Sequence, residues 1–163
     1  NKTYVAFDGD NDIYYYYLMK AWKQNDNIDF NFSDAHDLNT ARDSSQEYSI
    51  KSQLRERMNN SKLFILLVGE HTKYLTKFVK WEIETAISLE LPMIVVNLNG
   101  KRTTDNDLCP TTAKTTLAIH VSNNQKIITY SMDKWPINDK QYRKEGKLSD
   151  FHWVESVYSE LGL

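Results

Sequence analysis

Three runs of consecutive apolar residues and one alternating run, separated by stretches with helical spacing, organise the first hundred residues or so. "TYVAF" (3–7) is short, apolar and bounded by "DGD", which predicts a buried strand. "DIYYYYLMKAWKQN" (12–25) is long enough for a helix, with Tyr14, Leu18, Ala21 and Trp22 at one-face spacing. "IDFNF" (28–32) alternates, placing Ile28, Phe30 and Phe32 on one side of a strand. The polar stretch 33–45 has no period and reads as a long loop. Ser44 or Ser45 is placed to cap a following helix that aligns Ile50, Leu54 and Met58. "KLFILLV" (62–68) and "MIVVNL" (93–98) are apolar without alternation, as strands are when helices cover both sheet faces. Between them, residues 76–90 have helical spacing.

The resulting β-α-β-α-β-α-β order predicts a parallel, doubly wound α/β sheet with right-handed crossovers. Beyond it, "TLAIHV" (116–121) and "KIITYS" (126–131) read as short strands, and "DFHWVESVYSEL" (150–161) as a closing helix. The stretches 99–112 and 132–149 read as excursions. No repeat, low-complexity tract or linker divides the chain, so residues 1–163 are expected to form a single domain. In such sheets ligands bind beyond the carboxyl ends of the strands. That directs attention to residues 8–12, 33–42, 69–75 and 99–105.

Composition adds bounds. With 40% hydrophobic and 26% charged residues, the chain matches a globular domain with a substantial core. A net charge of -2 gives no electrostatic reason to expect nucleic acid or an acidic membrane as partner. The one cysteine, Cys109, has no internal disulfide partner and suits a reducing compartment. No apolar run approaches the roughly 20 residues of a membrane span, and residues 1–20 lack a signal-peptide profile. A cytoplasmic protein is the expectation.

Familiar catalytic signatures are missing: there is no dinucleotide-binding glycine fingerprint, Walker lysine loop, serine elbow or zinc-protease helix. His36, His71, His120 and His152 lack metal-ligand spacing, and surface or satisfied core roles are expected for them. No metal site and no bound cofactor are expected. "VAFDGDND" resembles the start of haloacid-dehalogenase-type phosphatases, whose first strand ends in Asp-x-Asp and holds Mg²⁺. On that reading Asp8 and Asp10 would be the carboxylates. The late acidic pair of those enzymes has no counterpart in "VVNLNGK", and "LLVGEHT" lacks a receiver domain's phosphorylatable Asp. The alternative is an acidic turn in which Asp10 or Asn11 caps the helix and Asp12 complements its dipole.

The stretch "TKFVKWEIETAI" (76–87) carries two glutamates on one helix. Leu75, Val79, Ile83, Ala86 and Ile87 form its apolar stripe. At about 100° per residue, Glu82 and Glu84 flank that stripe and point roughly 200° apart. Glu84 faces water. Glu82 stands beside Phe78, half-shielded at the helix start, where the pattern alone favours a boundary glutamate paired with a lysine.

Phe78-Val79-Lys80-Trp81-Glu82-Ile83, on the helix after an "LLVG" strand, resembles the W-C-x-x-E-L stretch of TIR-domain enzymes. More closely, the chain resembles the TIR-like Thoeris B family of bacterial anti-phage defence. The likeness runs through the "AFDGDND" loop, "SIKSQLRERMNNSKLFILLVGEHT" and "FVKWEIETAISLELPMIVVNLN", and fades through "AIHV" and "KIITYSMDKW". It implies a flavodoxin-like, TIR-like fold of about five strands in the order 2-1-3-4-5, with helices on both faces. It also implies an NAD⁺-consuming enzyme that cleaves the nicotinamide–ribose bond. The product would be a cyclic ADP-ribose-type signal or related conjugate, which activates a separate effector protein.

Carried over by position, the catalytic glutamate is Glu82, and the nucleotide-contacting loop spans Phe7 to Asp12. Within that loop Phe7, Asp8 and Asp10 are candidate substrate contacts, and Asp8 replaces the usual small hydroxyl residue. The mobile loop beside the site maps to 33–43, with Asp34, His36 and Arg42, of which Arg42 suits a phosphate. Phe7, Phe78 and Trp81 are the candidate dry walls. NAD⁺ would be substrate rather than cofactor, a phage-derived trigger and a homo-oligomer are implied partners, and a non-catalytic TIR-type assembly module is the competing class.

Overall fold

The computed structural model describes residues 2–25, 32–33 and 44–163. Strand β1 (Lys2–Ala6) leads to α1 (Ile13–Asn25), β2 (Phe32–Ser33) and α2 (Ser44–Asn59). Then come β3 (Ser61–Val68), a 3-10 turn (Thr72–Tyr74), α3 (Val79–Ser88), β4 (Met93–Asn97) and α4 (Thr111–Lys114). The chain closes with β5 (Ala118–Ser122), α5 (Gln125–Glu145), β6 (Asp150–His152) and α6 (Glu155–Glu160). All six strands lie in one sheet, β2-β1-β3-β4-β5-β6, with every neighbouring pair parallel. This is the predicted order 2-1-3-4-5 with a short sixth strand on the β5 edge.

Each central strand divides its side chains between two cores, as the alternation of a pleated strand requires. Tyr4 and Ala6 of β1, Phe64 and Leu66 of β3, and Met93 and Val95 of β4 meet Leu54 and Met58 of α2 and Ile83 and Ala86 of α3. On the opposite face Val5, Ile65, Ile94 and Ile119 meet Tyr16 and Met19 of α1, Ile127 and Trp135 of α5, and Tyr158 of α6. Both faces are dry, which is why β3 and β4 read as unbroken apolar runs.

Three local expectations are corrected. The buried face of α1 is Tyr16 and Met19, each 1% exposed, whereas Tyr14 is 65% exposed. Four consecutive tyrosines give no polarity contrast, and Phe7 sets the phase by stacking on Tyr16 at 4.7 Å. "KIITYS" and the supposed excursion after it form the single helix α5, running through Pro136 to a left-handed Gly146 cap. Its N-terminus is fixed by the Asn124 side chain, which accepts the Lys126 N–H at 2.8 Å. Its inward positions include the polar Ser131 and Asp139, which interrupt the apolar period. Finally, residues 150–152 pair with β5 before α6 begins at Glu155. Phe151 stacks on Tyr142 at 4.4 Å and holds that edge strand against α5.

Phe32 pairs with Thr3, as the second strand requires. The rest of the alternating run (28–31), most of the predicted loop, and Asp34, His36 and Arg42 lie outside the described residues.

Candidate functional site

Two segments converge beyond the carboxyl end of the sheet: the loop after β1 and the segment between β3 and α3. The first is shaped by Asp8, which is 2% exposed. Its Oδ1 accepts the backbone N–H groups of Asp10 (3.1 Å) and Asn11 (3.3 Å), and its Oδ2 accepts Asn11 Nδ2 at 2.6 Å. These bonds make the local side-chain turn that Asp favours. Both Asp8 oxygens are engaged by their own loop. Asp10 is exposed and also lines the cleft described below.

Gly69 ends β3, and its N–H donates to the buried Thr72 hydroxyl at 2.9 Å, which tightens the 3-10 turn. A Cβ on Gly69 would fall 2.2 Å from Asp12 Oδ2, so the two loops meet here with no room for a side chain. The Asp12 carboxyl has an unpartnered, buried Oδ2. Burial, and then the neighbouring Asp8 charge, raise its pKa.

Between the loops lies a cleft of about 230 Å³, walled by Phe7–Asp10 on one side and Tyr74–Val79 on the other. That is below the about 300–1,000 Å³ of common ligand sites. A second, larger hollow of about 420 Å³ opens between Asp12, Gly69–His71 and Asn99, on the other side of the β1 loop and away from α3.

Glu82 lies in the first turn of α3, one turn beyond Phe78 in the cleft wall. It is 1% exposed and is not itself among the cleft-lining residues. The predicted half-shielded boundary position is therefore corrected to full burial. The helix phase explains it: Val79, Glu82, Ile83, Thr85 and Ala86 all face inward, a stripe wider than the apolar residues alone suggest. Glu84 is exposed on the other side.

Tyr4, at the centre of β1 and 0% exposed, donates its hydroxyl to Glu82 Oε2. Glu82 Oε1 is buried with no hydrogen-bond partner. Burial pushes the Glu82 carboxyl up to about 8, and the Tyr4 hydrogen bond opposes that rise. The Tyr4 hydroxyl is raised well above its ordinary value, first by burial and then by the Glu82 charge. Sequence reasoning missed Tyr4. Its signal was a hydroxyl-bearing aromatic inside an otherwise apolar central strand.

Of the other predicted contacts, Phe7 and Phe78 both line the cleft, at 4% and 8% exposure. Phe7 also belongs to the core beneath α1. Trp81 is placed elsewhere: it packs at the edge of the α2–α3 layer, with Lys51 at 5.4 Å and Arg55 at 6.0 Å over its ring. His71 and His152 are exposed, while His120 is a core residue of β5 at 0% exposure. Burial drives its pKa down to about 4, opposed by the Asp150 charge and a backbone hydrogen bond with Ala113. Cys109 is buried and its thiol pushed up to about 12, which makes it a poor nucleophile. Among the described residues no cluster of three or more His, Cys, Asp or Glu could hold a metal ion.

Residues 4–103, more than half of the chain, match the family model of the TIR-like domain of the Thoeris protein ThsB. The chain belongs to the Thoeris ThsB family of TIR-like domains. The match spans β1 through β4, and so includes the β1 loop, the cleft and α3 with Glu82. It sets the chain in the context of Thoeris defence. The sheet of this ThsB-type domain continues past the matched region through β5 and β6. No helix among the described residues is long and apolar enough to cross a membrane.

Proposed function

We propose that this domain consumes NAD⁺, cleaving the nicotinamide–ribose bond with Glu82 as the catalytic carboxylate. The product is a cyclic ADP-ribose-type nucleotide that activates a separate effector. The observation that carries the reading is Glu82 itself: a fully buried carboxyl, one helical turn below the cleft wall, with one oxygen left unpartnered. A buried acid without a countercharge is costly for folding, and strongly perturbed acids concentrate at functional sites. NAD⁺ supplies the missing partner, because its nicotinamide ring is cationic.

The chemistry needs one such group. Breaking the glycosidic bond builds oxocarbenium character on the ribose, as in glycoside hydrolysis. Nicotinamide enters as a cation and departs neutral, so no general acid is required. The Glu82 carboxylate stabilises the cation as it forms. The substrate's positive charge favours the ionised form of a carboxyl that burial alone holds near pH 8. Nucleotide entry therefore releases a proton at neutral pH. Phe78 lines the cleft and Glu82 does not, so the carboxyl meets substrate only if the wall rearranges.

The test is incubation of the pure protein with NAD⁺, with and without extract of phage-infected cells, followed by mass spectrometry. Glu82→Gln is expected to lower turnover on the order of 10²–10³-fold, the range for one lost electrostatic contact in a transition state. Glu84→Gln is expected to match wild type, because its side chain faces water. Full turnover by a folded Glu82→Gln protein overturns the mechanism. The competing reading is a non-catalytic assembly module, and the observation favouring it is that Glu82 does not reach the cleft surface. An absence of any NAD⁺-derived product, even with infected-cell extract, would favour that reading.

A further inference from the structure

We propose that Tyr4 is the positioning residue of this site: its buried hydroxyl holds Glu82 Oε2 from the floor of the sheet and leaves the unpartnered Oε1 as the oxygen presented to the ribose. The proposal rests on the reading of Glu82 as catalytic and extends it to a residue on a different element, 78 positions earlier in the chain.

The geometry suits that task. Tyr4 pairs with Ser33 on one side and Phe64 on the other, so its backbone is fixed from both neighbouring strands. Its ring stacks on Phe64 with centroids 5.7 Å apart and planes 7° from parallel. A phenol clamped this way has little rotational freedom, and its hydroxyl reaches a fixed point under the first turn of α3. A glutamate has three rotatable bonds, and one anchored oxygen removes most of that freedom before substrate arrives. Pre-set orientation of this kind is a large part of what active sites contribute. A tyrosine does this without adding charge, which a lysine or arginine at position 4 would do by neutralising the carboxylate.

The charged groups around the pair come from α2, with Lys77 before α3 lying 6.0 Å from the Phe78 ring centre. Arg57 of α2 acts on the Tyr4 hydroxyl and has a buried Nη1 without a partner. Lys51 lies 5.7 Å from the Phe78 ring centre, and Lys51 and Arg55 both lie over Trp81. Only Tyr4 meets the carboxyl by a hydrogen bond among these.

Tyr4→Phe removes the hydroxyl and keeps the stacked ring, so the fold should survive. Two readouts separate this proposal from the one beneath it. The first needs no activity: ¹³C NMR of the Glu82 side-chain carboxyl across pH 5–10 in wild type and Tyr4→Phe. Loss of the stabilising hydrogen bond should move the Glu82 midpoint upward and change its resting chemical shift. The second is NAD⁺ turnover against pH. There kcat should fall on the order of 10- to 10²-fold with little change in KM, as for a misplaced catalytic group. The profile's limb for Glu82 should move in the same direction as the NMR midpoint. In a Glu82→Gln background the Tyr4→Phe change should not lower turnover further. An unmoved Glu82 resonance and midpoint in Tyr4→Phe overturns the proposal. Wild type that is inert towards NAD⁺ while the resonance does move overturns the catalytic reading and the ribose-facing role, and leaves Tyr4 as a structural anchor.

Discussion

Glu82 and His120 are both buried and titratable, and they place opposite pH dependences on the stability of one molecule. Glu82 is raised from an ordinary 4.5 to about 8. Between those values the folded chain keeps a proton that the unfolded chain has lost, so stability falls as pH rises from about 4.5 to about 8. His120 is lowered from 6.5 to about 4. The unfolded chain binds the extra proton in that window, so stability falls as pH drops from 6.5 to about 4. The two slopes oppose each other where the windows overlap, and above pH 6.5 the Glu82 slope stands alone. Urea unfolding of wild type should therefore show a decline from pH 6.5 to 8, limited to about 1.4 kcal/mol per pH unit for one group. Glu82→Gln should abolish that decline. His120→Leu should expose it down to pH 5. A flat wild-type curve above pH 6.5 would show that Glu82 is not held protonated in the fold.

At the scale of elements, the site depends on two loops meeting at Gly69. The hypothetical Cβ 2.2 Å from the Asp12 carboxylate forces that side chain to turn away or the β1 loop to shift. Gly69→Ala should destabilise by about 1–3 kcal/mol, the range for forced overpacking. It should also loosen the Asp8-centred turn that forms one wall of the cleft. Chemical denaturation measures the first effect and amide exchange at Asp10 and Asn11 the second. Wild-type stability with unchanged protection would mean that the two loops do not bear on each other. The helices show how unevenly local pattern reports such contacts. Ile50, Leu54 and Met58 align on α2 and do face the core, Leu54 and Met58 at 0% exposure. In α5 the inward Ser131 instead donates to the Ile127 carbonyl and accepts the Trp153 N–H. A polar residue satisfied by a partner 22 positions away looks, in sequence, like the end of a helix face.

For the whole molecule, the region matching the family ends at residue 103, but the sheet does not. Ile94 and Val96 of β4 share a core with Ile119 and Val121 of β5 and with Ile127, Ile128 and Trp135 of α5. A chain ending at residue 103 exposes that face of the central strands. It should lose cooperative unfolding and bind a hydrophobic dye, as states with unpacked cores do. A cooperative thermal transition in that fragment would show that β5 and α5 are dispensable additions.

What the sequence by itself determined is whatever depends on near neighbours. The continuous apolar runs of β3 and β4 announced burial on both faces, the alternation of strands and helices announced a parallel sheet, and the family resemblance implied its order. The 100° step of a helix separated Glu82 from Glu84 without knowledge of any other element. The tertiary structure decided what depends on partners distant in sequence. Tyr16 rather than Tyr14 faces inward because Phe7 stacks there. Residues 150–152 are a strand because β5 offers an edge. Glu82 became a buried acid near pH 8 because the packed layers around α3 desolvate it, with Tyr4, 78 residues away, opposing the rise through its hydrogen bond. Helical phase fixes the direction in which a side chain points, but desolvation and hydrogen bonding are set by what the rest of the fold puts in its way.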